Sequence, residues 1–276
     1  MGEEMRRQLP ALLALALPVL AGLAYLHFAG APQHFLGINA IALVLALVLA
    51  AFVRAPTIRR NRRILMMALL CALFVPLITG PSLDGVTRWL PLGPVQLHTG
   101  SLLLPAIIAL AARERELIAP VLLACVLAGL LQPDAALGFA IVFALVGLHD
   151  ATRDWRMGVS CIIGFFTALA MAYRGNPAPQ DFVERVLVDA AGLSLGASLG
   201  LFASLTASFL LILVAIPAEK PVRYGLAGSL FGFTIMSLMA NYPSVLIGYG
   251  AAPILGFGLA LGLAAQTGKT TETPAN

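Results

Sequence analysis

Acidic and basic side chains occupy three gaps between the apolar runs of this 276-residue chain, and these groups could carry out chemistry. They are Asp84, Arg88, His98, Asp134, Asp181, Glu184, Arg185 and Asp189. An ionisable group beside a bilayer is costly and usually has a function there. A carboxylate in such a place can act as a general base on a hydroxyl group, and the guanidinium group of Arg88 can hold a diphosphate. The pattern therefore indicates a membrane-surface site that combines an acid with an arginine.

The spacing of Asp181, Glu184 and Arg185 allows a second interpretation. Residues three and four apart share one face of a helix, so these groups could instead form only mutual salt bridges. Elsewhere, His149 and Asp150 resemble a fragment of a metal phosphohydrolase motif that lacks its further ligands. The three cysteines lie far apart inside apolar runs. The sequence therefore predicts no dedicated metal site, and we interpret the cysteines as packing residues.

The composition places these groups in a membrane protein. Charged residues make up 11% of the chain and hydrophobic residues 60%, whereas soluble domains carry about 25% charged residues. A membrane-spanning helix needs about 20 mostly apolar residues. Such runs, some of them short, cover residues 9–28, 36–53, 64–79, 99–112, 117–131, 135–149, 157–173, 190–216, 226–241 and 252–266. We therefore predict an all-α, polytopic transmembrane bundle of about ten helices, with a single domain over 1–266 and a disordered cytoplasmic tail over 267–276.

Two parts of this map allow other interpretations. The runs 117–131 and 135–149 are short and could form a re-entrant hairpin around Gln132-Pro133-Asp134 instead of two spans. The first run could be a secretory signal cleaved near residues 29–31, although it is long for one. Neither alternative changes the sidedness of the later helices.

Lysine and arginine residues indicate the orientation. With both termini in the cytoplasm, only Arg88, Arg174 and Arg185 of the 17 basic residues lie outside. The basic cluster Arg59–Arg63 then lies inside, where we expect it to anchor the topology and contact anionic lipids. The outer segments are Asp84–Ser101, Gln132–Asp134, Gly175–Asp189 and Asn241–Gly250. We expect these four segments to converge at a single outer mouth that contains both the acid and the arginine.

Glycine and proline mark two further features. Gly85, Pro91, Gly93 and Pro94 favour a shaped loop over a helix in the first outer segment. Small residues let helix backbones approach closely in lipid. We therefore expect a stripe of glycines in the run 190–216, and two glycines near the end of the chain, to pack against neighbouring helices; these are Gly192, Gly196, Gly200, Gly256 and Gly262.

The outer segments resemble motifs of the SEDS family (shape, elongation, division and sporulation), which includes FtsW and RodA. Residues 85–94, GVTRWLPLGP, resemble its G-A-x-R-W-I-x-L-G-P signature, and Gln132-Pro133-Asp134 matches its Q-P-D. Residues 181–192, DFVERVLVDAAG, align with the D-F-I-F-A-V-L-G-E-E-L-G segment, so that Asp181 falls on the family's essential Asp. Residues 247–250, IGYG, resemble the end of P-x-P-F-V-S-Y-G-G. Ser101 and Leu104 stand where the family pattern Q-P-S-E-L-x-K has Glu and Lys.

The resemblance implies a peptidoglycan glycosyltransferase that polymerises lipid II at the outer face of the bacterial cytoplasmic membrane, in cell division or cell-shape maintenance. Asp181 would be the catalytic base, and Arg88, Trp89, Asp134 and Tyr249 would bind the undecaprenyl-linked substrate. The implied partner is a class B penicillin-binding protein, and nothing indicates nucleic acid. A divalent cation is compatible with this chemistry, but the sequence contains no dedicated ligand set and no cofactor is indicated.

Two other functions fit parts of the sequence. The missing Glu and Lys favour a catalytically silent homologue that acts as a scaffold or regulator of the penicillin-binding protein. A flippase of lipid-linked sugars would need polar residues deep within the helices, and the middles of the runs are mostly Leu, Ala, Val and Gly.

Overall fold

The computed structural model describes residues 2–82, 85–93, 95–174 and 179–266, which form a helical bundle with one small hairpin. In chain order the elements are α1 (Gly2–Phe28), α2 (Gln33–Phe52), α3 (Arg59–Leu73), α4 (Pro76–Thr79), β1 (Trp89–Leu92), β2 (Val95–His98), α5 (Thr99–Ala111), α6 (Ile118–Leu131), α7 (Ala135–Thr152), α8 (Trp155–Arg174), α9 (Val186–Leu193), α10 (Leu195–Leu210, continued by a π-helical turn over Leu211–Ala215), α11 (Lys220–Met239) and α12 (Ala251–Ala264).

The predicted transmembrane bundle of about ten helices is confirmed. Within the described residues, seven helical segments are long and apolar enough to cross a membrane, and α5, α6 and α12 are shorter apolar helices. The chain is therefore a multi-pass membrane protein. The predicted tail 267–276, Asp84, and the start of the third outer segment at Gly175 lie outside the described residues.

Glycines let the central helices pack backbone against backbone. A Cβ atom at Gly228 of α11 would collide with the carbonyl oxygen of Phe143 in α7. Gly256 of α12 lies equally close to the carbonyl of Ser101, and Gly262 lies against the C-terminal turn of α2. The close packing predicted for Gly256 and Gly262 is confirmed.

The glycine stripe around Gly196 does not pack in this way. The predicted helix over 190–216 is two helices, α9 and α10, because Ser194 between them is extended with φ −161°. A Cβ atom at Gly192 or Gly200 would meet no other atom within 4 Å. Near its other end α10 touches α1, where Ser208 Oγ donates to the carbonyl of Ala14 at 2.6 Å. The two helices are therefore joined at one end and separate toward the other, and the stripe lines the resulting groove instead of a helix interface.

One end of the bundle, here called the arginine-rich end, is held together by a buried acid. Glu114 accepts hydrogen bonds from Arg59 Nε at 2.8 Å, Arg62 Nε at 2.9 Å and Arg63 Nε at 2.9 Å. Burial raises the pKa of Glu114, but these three arginines outweigh it and lower the pKa to about 2. Three members of the Arg59–Arg63 cluster thus tie α3 to the loop between α5 and α6, a role that the sequence did not predict, and the expected contact with anionic lipids stays a prediction.

The opposite end, here called the hairpin end, carries β1 and β2. These strands pair antiparallel, with Trp89 opposite His98, and Gly93 in the turn has a left-handed φ of 59°. The N–H and Oγ1 of Thr99 both donate to the carbonyl of Arg88, at 3.1 Å each, and attach the hairpin to the start of α5. The expected shaped loop is thus a hairpin in its described part.

A tight turn at the hairpin end joins α6 and α7, which are two separate helices. Gln132 Nε2 donates to the carbonyl of Leu73, which fixes the turn to α3. Asp134 Oδ1 accepts from the N–H of Leu137 at 3.1 Å and so caps the N-terminus of α7.

Candidate functional site

Arg88 is fully buried at the hairpin end, immediately before β1. Its guanidinium carbon lies 4.7 Å from the centre of the Trp89 ring and 4.6 Å from the centre of the Tyr242 ring. Ring contacts of this kind stabilise a cation without using its hydrogen-bond donors. None of the three guanidinium nitrogens forms a well-aligned hydrogen bond with a described residue, although the Tyr242 hydroxyl lies close enough to interact with the group. The ring faces of Trp89 and Tyr242 therefore hold the positive charge of Arg88 in its buried place.

His98 and Asp134 form a buried pair, with Nε2 and Oδ2 3.0 Å apart. The N–H of Ser101 donates to Nδ1 of His98 at 3.1 Å, which leaves the ring proton on Nε2, toward Asp134. Burial raises the pKa of Asp134, but its interactions with His98 and Arg88 outweigh burial and hold the pKa below its usual value. The pair therefore joins the start of α5 to the start of α7.

A cavity of about 480 Å³ opens at the hairpin end above these groups. Its walls include Phe35 and Tyr249, whose rings stack at 3.6 Å. Asn39 holds the backbone on both sides of Tyr249: its Nδ2 donates to the carbonyl of Gly248 at 2.9 Å, and its Oδ1 accepts from the N–H of Gly250 at 3.1 Å. Trp89 and His98 line the same cavity. The cavity is therefore an aromatic pocket with polar atoms at its edge.

The segment between α8 and α9 docks onto the segment between α11 and α12. The N–H of Ser244 donates to the carbonyl of Val183 at 2.8 Å, and the N–H of Tyr249 donates to the carbonyl of Phe182 at 2.7 Å. Glu184 pairs with Pro243 as an isolated bridge and is almost completely buried. Burial raises its pKa to about 7, although the Gln180 N–H and the charge of Arg88 act in the opposite direction.

Asp181 lies on the other side of this turn. It is exposed and lines a second cavity, also of about 480 Å³, together with Tyr25, Phe182, Asp189 and Leu193. No salt bridge of 4.0 Å or less joins Asp181, Glu184 and Arg185 in the structure. The three residues do not share a helix face, because Phe182 and Arg185 adopt left-handed conformations with φ 64° and 56°. The salt-bridge interpretation of this cluster is therefore wrong.

The Asp181 cavity continues into the groove between α1 and α10. Both are lined by Tyr25, Ala29 and Leu193, and the groove of about 440 Å³ adds mostly small apolar residues. Large apolar side chains beside it are exposed, including Phe28 at 87% and Leu195 at 68%. Such surfaces face lipid in a membrane protein. The acid thus stands at the polar end of an apolar groove that opens to the side of the bundle.

The predicted outer segments converge only in part. Arg88, Asp134 and Tyr249 lie in one packed region, with Trp89 and Tyr249 in the wall of the aromatic cavity and with Arg88 and Asp134 buried outside it. Asp181 faces a different cavity, so the expectation of a single mouth holding both the acid and the arginine is wrong. The reason is that residues 180–184 form a partition between the two cavities.

Three residues of this region were missed as site residues in the sequence. Tyr242 stacks on Arg88, and its hydroxyl accepts from the N–H of Ala135 at 3.1 Å. Phe35 and Tyr25 each supply a cavity wall. Nothing in the local sequence distinguishes these three aromatic residues from those that commonly lie where a membrane helix meets water. The sequence does place Tyr242 directly after an apolar run, in an outer segment.

Comparison with known proteins identifies the fold. No family model matches the chain, and no curated protein sequence matches it either. Among solved structures, it is similar to the rod shape determining protein RodA of Thermus thermophilus, with 20% identity, a TM-score of 0.67, and coverage of 91% of this chain and 93% of that one. A point mutant of the same protein matches with the same identity and score and with 94% of its chain covered. A third similar structure is described as "Structural coordination of polymerization and crosslinking by a peptidoglycan synthase complex". Its chain matches at 20% identity with a TM-score of 0.64, and the match covers 91% of this chain and 95% of that one. The chain therefore has the RodA fold, which is the fold that the SEDS resemblance predicted.

Proposed function

We propose that this chain is a SEDS-like peptidoglycan glycosyltransferase that polymerises lipid II at the outer face of the bacterial cytoplasmic membrane. The RodA fold over 91% of the chain supports a role in peptidoglycan synthesis. The observation that carries the proposal is the position of Asp181, an exposed acid at the mouth of an apolar groove that opens sideways. A lipid-linked sugar needs this combination, because its tail stays in lipid while its sugar reaches water.

In the proposed reaction, Asp181 removes the proton from a sugar hydroxyl group of the acceptor as that oxygen attacks the anomeric carbon of the donor. The new glycosidic bond forms while the bond from the anomeric carbon to undecaprenyl diphosphate breaks. The leaving diphosphate carries away the electron pair. The groove between α1 and α10 holds a polyprenyl tail, and its open glycine stripe leaves room for one.

Arg88, Trp89, Asp134 and Tyr249 remain the proposed substrate-binding residues, with different tasks. Trp89 and Tyr249 offer ring faces in the aromatic cavity, where a sugar ring can stack. Arg88 supplies the positive charge for a diphosphate, and Trp89 has to move aside before the anion can reach it. Asp134 does not line the cavity and supports the site indirectly, because it holds His98 and the N-terminus of α7. A divalent cation would assist the leaving diphosphate; the described residues contain no cluster of three or more metal-ligating side chains.

The proposal is tested with purified protein, its class B penicillin-binding protein partner and labelled lipid II. We expect glycan strands from the wild type and a loss of about 100-fold or more with Asp181→Ala, since a positioned base contributes about that much. Asp150→Asn, a change of an exposed acid at the opposite end of the bundle, is the matched control and should keep its rate. Equal synthesis by the wild type and Asp181→Ala would exclude Asp181 as the base.

A second function, a catalytically silent scaffold for the penicillin-binding protein, is favoured by one observation. Leu104 stands at the place of the lysine in the family pattern and is fully buried among apolar residues, while the N–H of Ser101 donates to His98, the residue that caps α5. Complementation of a deletion strain separates the two functions. A scaffold predicts rescue by Asp181→Ala, whereas a dead mutant that reaches the membrane in normal amount supports the enzyme.

A further inference from the structure

Glu184 is a buried acid that the proposed reaction does not use. It lies in the partition between the two cavities, three residues after Asp181, and only 4% of its surface is exposed. At this place the aligned SEDS segment D-F-I-F has a phenylalanine. An acid that replaces an apolar residue in a buried position needs a reason.

The carboxylate of Glu184 closes the turn that carries Asp181. Oε2 of Glu184 accepts a hydrogen bond from the N–H of Gln180 at 3.1 Å, while the N–H groups of Val183 and Glu184 donate to the carbonyl of Gln180, at 3.2 Å each. The turn therefore is joined at its base by main-chain bonds and by one side chain. Phe182 inside it is left-handed with φ 64°, a conformation that is strained for a residue with a Cβ atom and therefore has a cost in free energy. The bond from Glu184 offsets part of that cost.

The groups around Glu184 determine when it is charged. Arg88 is the charged group that acts on it from another element, and no salt bridge of 4.0 Å or less joins the two. Asp181 and Arg185 flank it on its own segment and are exposed. Tyr242 stands next to its bridge partner Pro243, and the His98–Asp134 pair also lies near Arg88. Because burial raises the pKa of Glu184 to about 7, its proton is exchanged near neutral pH.

We propose that Glu184 is a positioning residue for Asp181: its buried carboxyl group clamps the turn that presents Asp181 to the groove, tightly when protonated and weakly when ionised. Closing the turn removes the carboxyl group from water, so a charge on Glu184 favours the open turn. The inference rests on the proposed function, since it assigns Glu184 to the same site. It assigns the alkaline limb of the activity profile to a residue that never touches the substrate.

The first test is the pH profile of lipid II polymerisation. The wild-type rate that depends on the clamp should fall on the alkaline side with a midpoint at about 7. Glu184→Gln keeps the size and an acceptor oxygen but cannot ionise. It should lose this limb and work about fivefold or more faster than the wild type at high pH, because its turn never acquires the buried charge. Glu116→Gln, at an acid whose side chain is 76% exposed, should keep the wild-type limb. An unchanged limb in Glu184→Gln overturns the proposal.

The second test works without any enzymatic activity. Asp181→Cys is introduced into a protein in which Cys71, Cys125 and Cys161 are replaced by alanine. The rate of thiol alkylation is then compared with and without Glu184→Gln, from one unit below to one unit above the midpoint of about 7. The ratio of the two rates cancels the ionisation of the thiol itself. We expect this ratio to change by about fivefold over the range, and a constant ratio overturns the proposal.

The two tests separate the two claims. A protein that makes no glycan but shows the pH-dependent alkylation ratio contradicts the glycosyltransferase and supports the clamp. A protein that polymerises lipid II but shows a constant alkylation ratio supports the glycosyltransferase and contradicts the clamp.

Discussion

Glu184 folds into a site where its charge is unfavourable. Its pKa is about 7 in the folded chain against an ordinary value of 4.5. A raised folded pKa gives stability that is fully present below the ordinary pKa and is lost as the pH rises through the folded one. We therefore expect Glu184→Gln to raise the free energy of unfolding at high pH, by at most about 3 kcal/mol, and to have little effect near pH 4.5. Chemical denaturation in detergent at several pH values measures this difference, and an equal effect at all pH values contradicts the burial of the charge.

The negative charge of Glu114, unlike that of Glu184, is favourable in the folded chain. Three arginines surround its buried carboxylate, so Glu114→Gln leaves these cations without their partner. We expect a loss of about 3 kcal/mol or more in the free energy of unfolding, as for other broken buried ion pairs. Its neighbour Glu116 is 76% exposed and lies 3.8 Å from Arg59, and Glu116→Gln should cost less than about 0.5 kcal/mol. Thermal unfolding of the two mutants side by side checks the contrast.

The sequence could identify charged residues, but not which of them are buried. The sequence indicates that Glu184 belongs to a surface cluster, because its burial depends on Pro243 and Ser244, about 60 positions away in the chain. The sequence likewise indicates that the Arg59–Arg63 cluster faces lipid, because its partner Glu114 belongs to a distant loop. Arg88 was recognised from the resemblance and the gap it lies in. Its two ring partners required coordinates, because Tyr242 belongs to a distant segment.

Two glycines of similar appearance differ in their surroundings, and this difference gives a test at the level of the helices. Gly200 lies in the open groove with no atom near its missing side chain, whereas Gly258 of α12 lies against the backbone of Ala46 in α2. We expect Gly200→Leu to leave the fold intact, within about 0.5 kcal/mol, and to lower lipid II polymerisation by filling the groove. Gly258→Ala should instead destabilise the bundle by about 1–3 kcal/mol.

Measurement of unfolding and polymerisation on the same two mutants checks this prediction. Full polymerisation by a well-folded Gly200→Leu protein would show that the substrate tail does not use the groove.

The apolar runs predicted the helices well because each span must fill the hydrocarbon layer. Each of the ten runs lies on described helices, but the run 64–79 covers both α3 and α4, and the run 190–216 covers both α9 and α10. The break at Ser194 was missed, because the run has no proline or charge there and a serine is tolerated in membrane helices. The hairpin β1–β2 was predicted only as a shaped loop, since its strands of four residues are too short to show a period.

The two ends of the molecule carry different chemistry, and this gives a test at the level of the whole chain. The arginine-rich end is predicted to face the cytoplasm and the hairpin end to face outward. Reporter fusions after Arg63 and after Gly175 should therefore report opposite sides of the membrane. The same side for both would overturn the assignment of the hairpin end to the outer surface, and with it the proposed access to lipid II.

At this scale the sequence predicted the architecture but not the internal partition of the site. The order of four motifs was enough to indicate the RodA fold, although each motif alone is degenerate. The turn at 180–184 occupies the space that a single mouth would need, and its left-handed Phe182 has no signature in the sequence. Two cavities instead of one follow from that local conformation.

The junction of Ser208 with Ala14 has a consequence for the direction of biosynthesis. Because α1 and α10 meet toward the arginine-rich end and part toward the hairpin end, a lipid can slide in sideways only from the leaflet next to the hairpin. Under the proposed function, a precursor made on the cytoplasmic side would have to be moved across the membrane by another protein before it reaches this groove. The geometry of the two helices would then set the order of translocation and polymerisation.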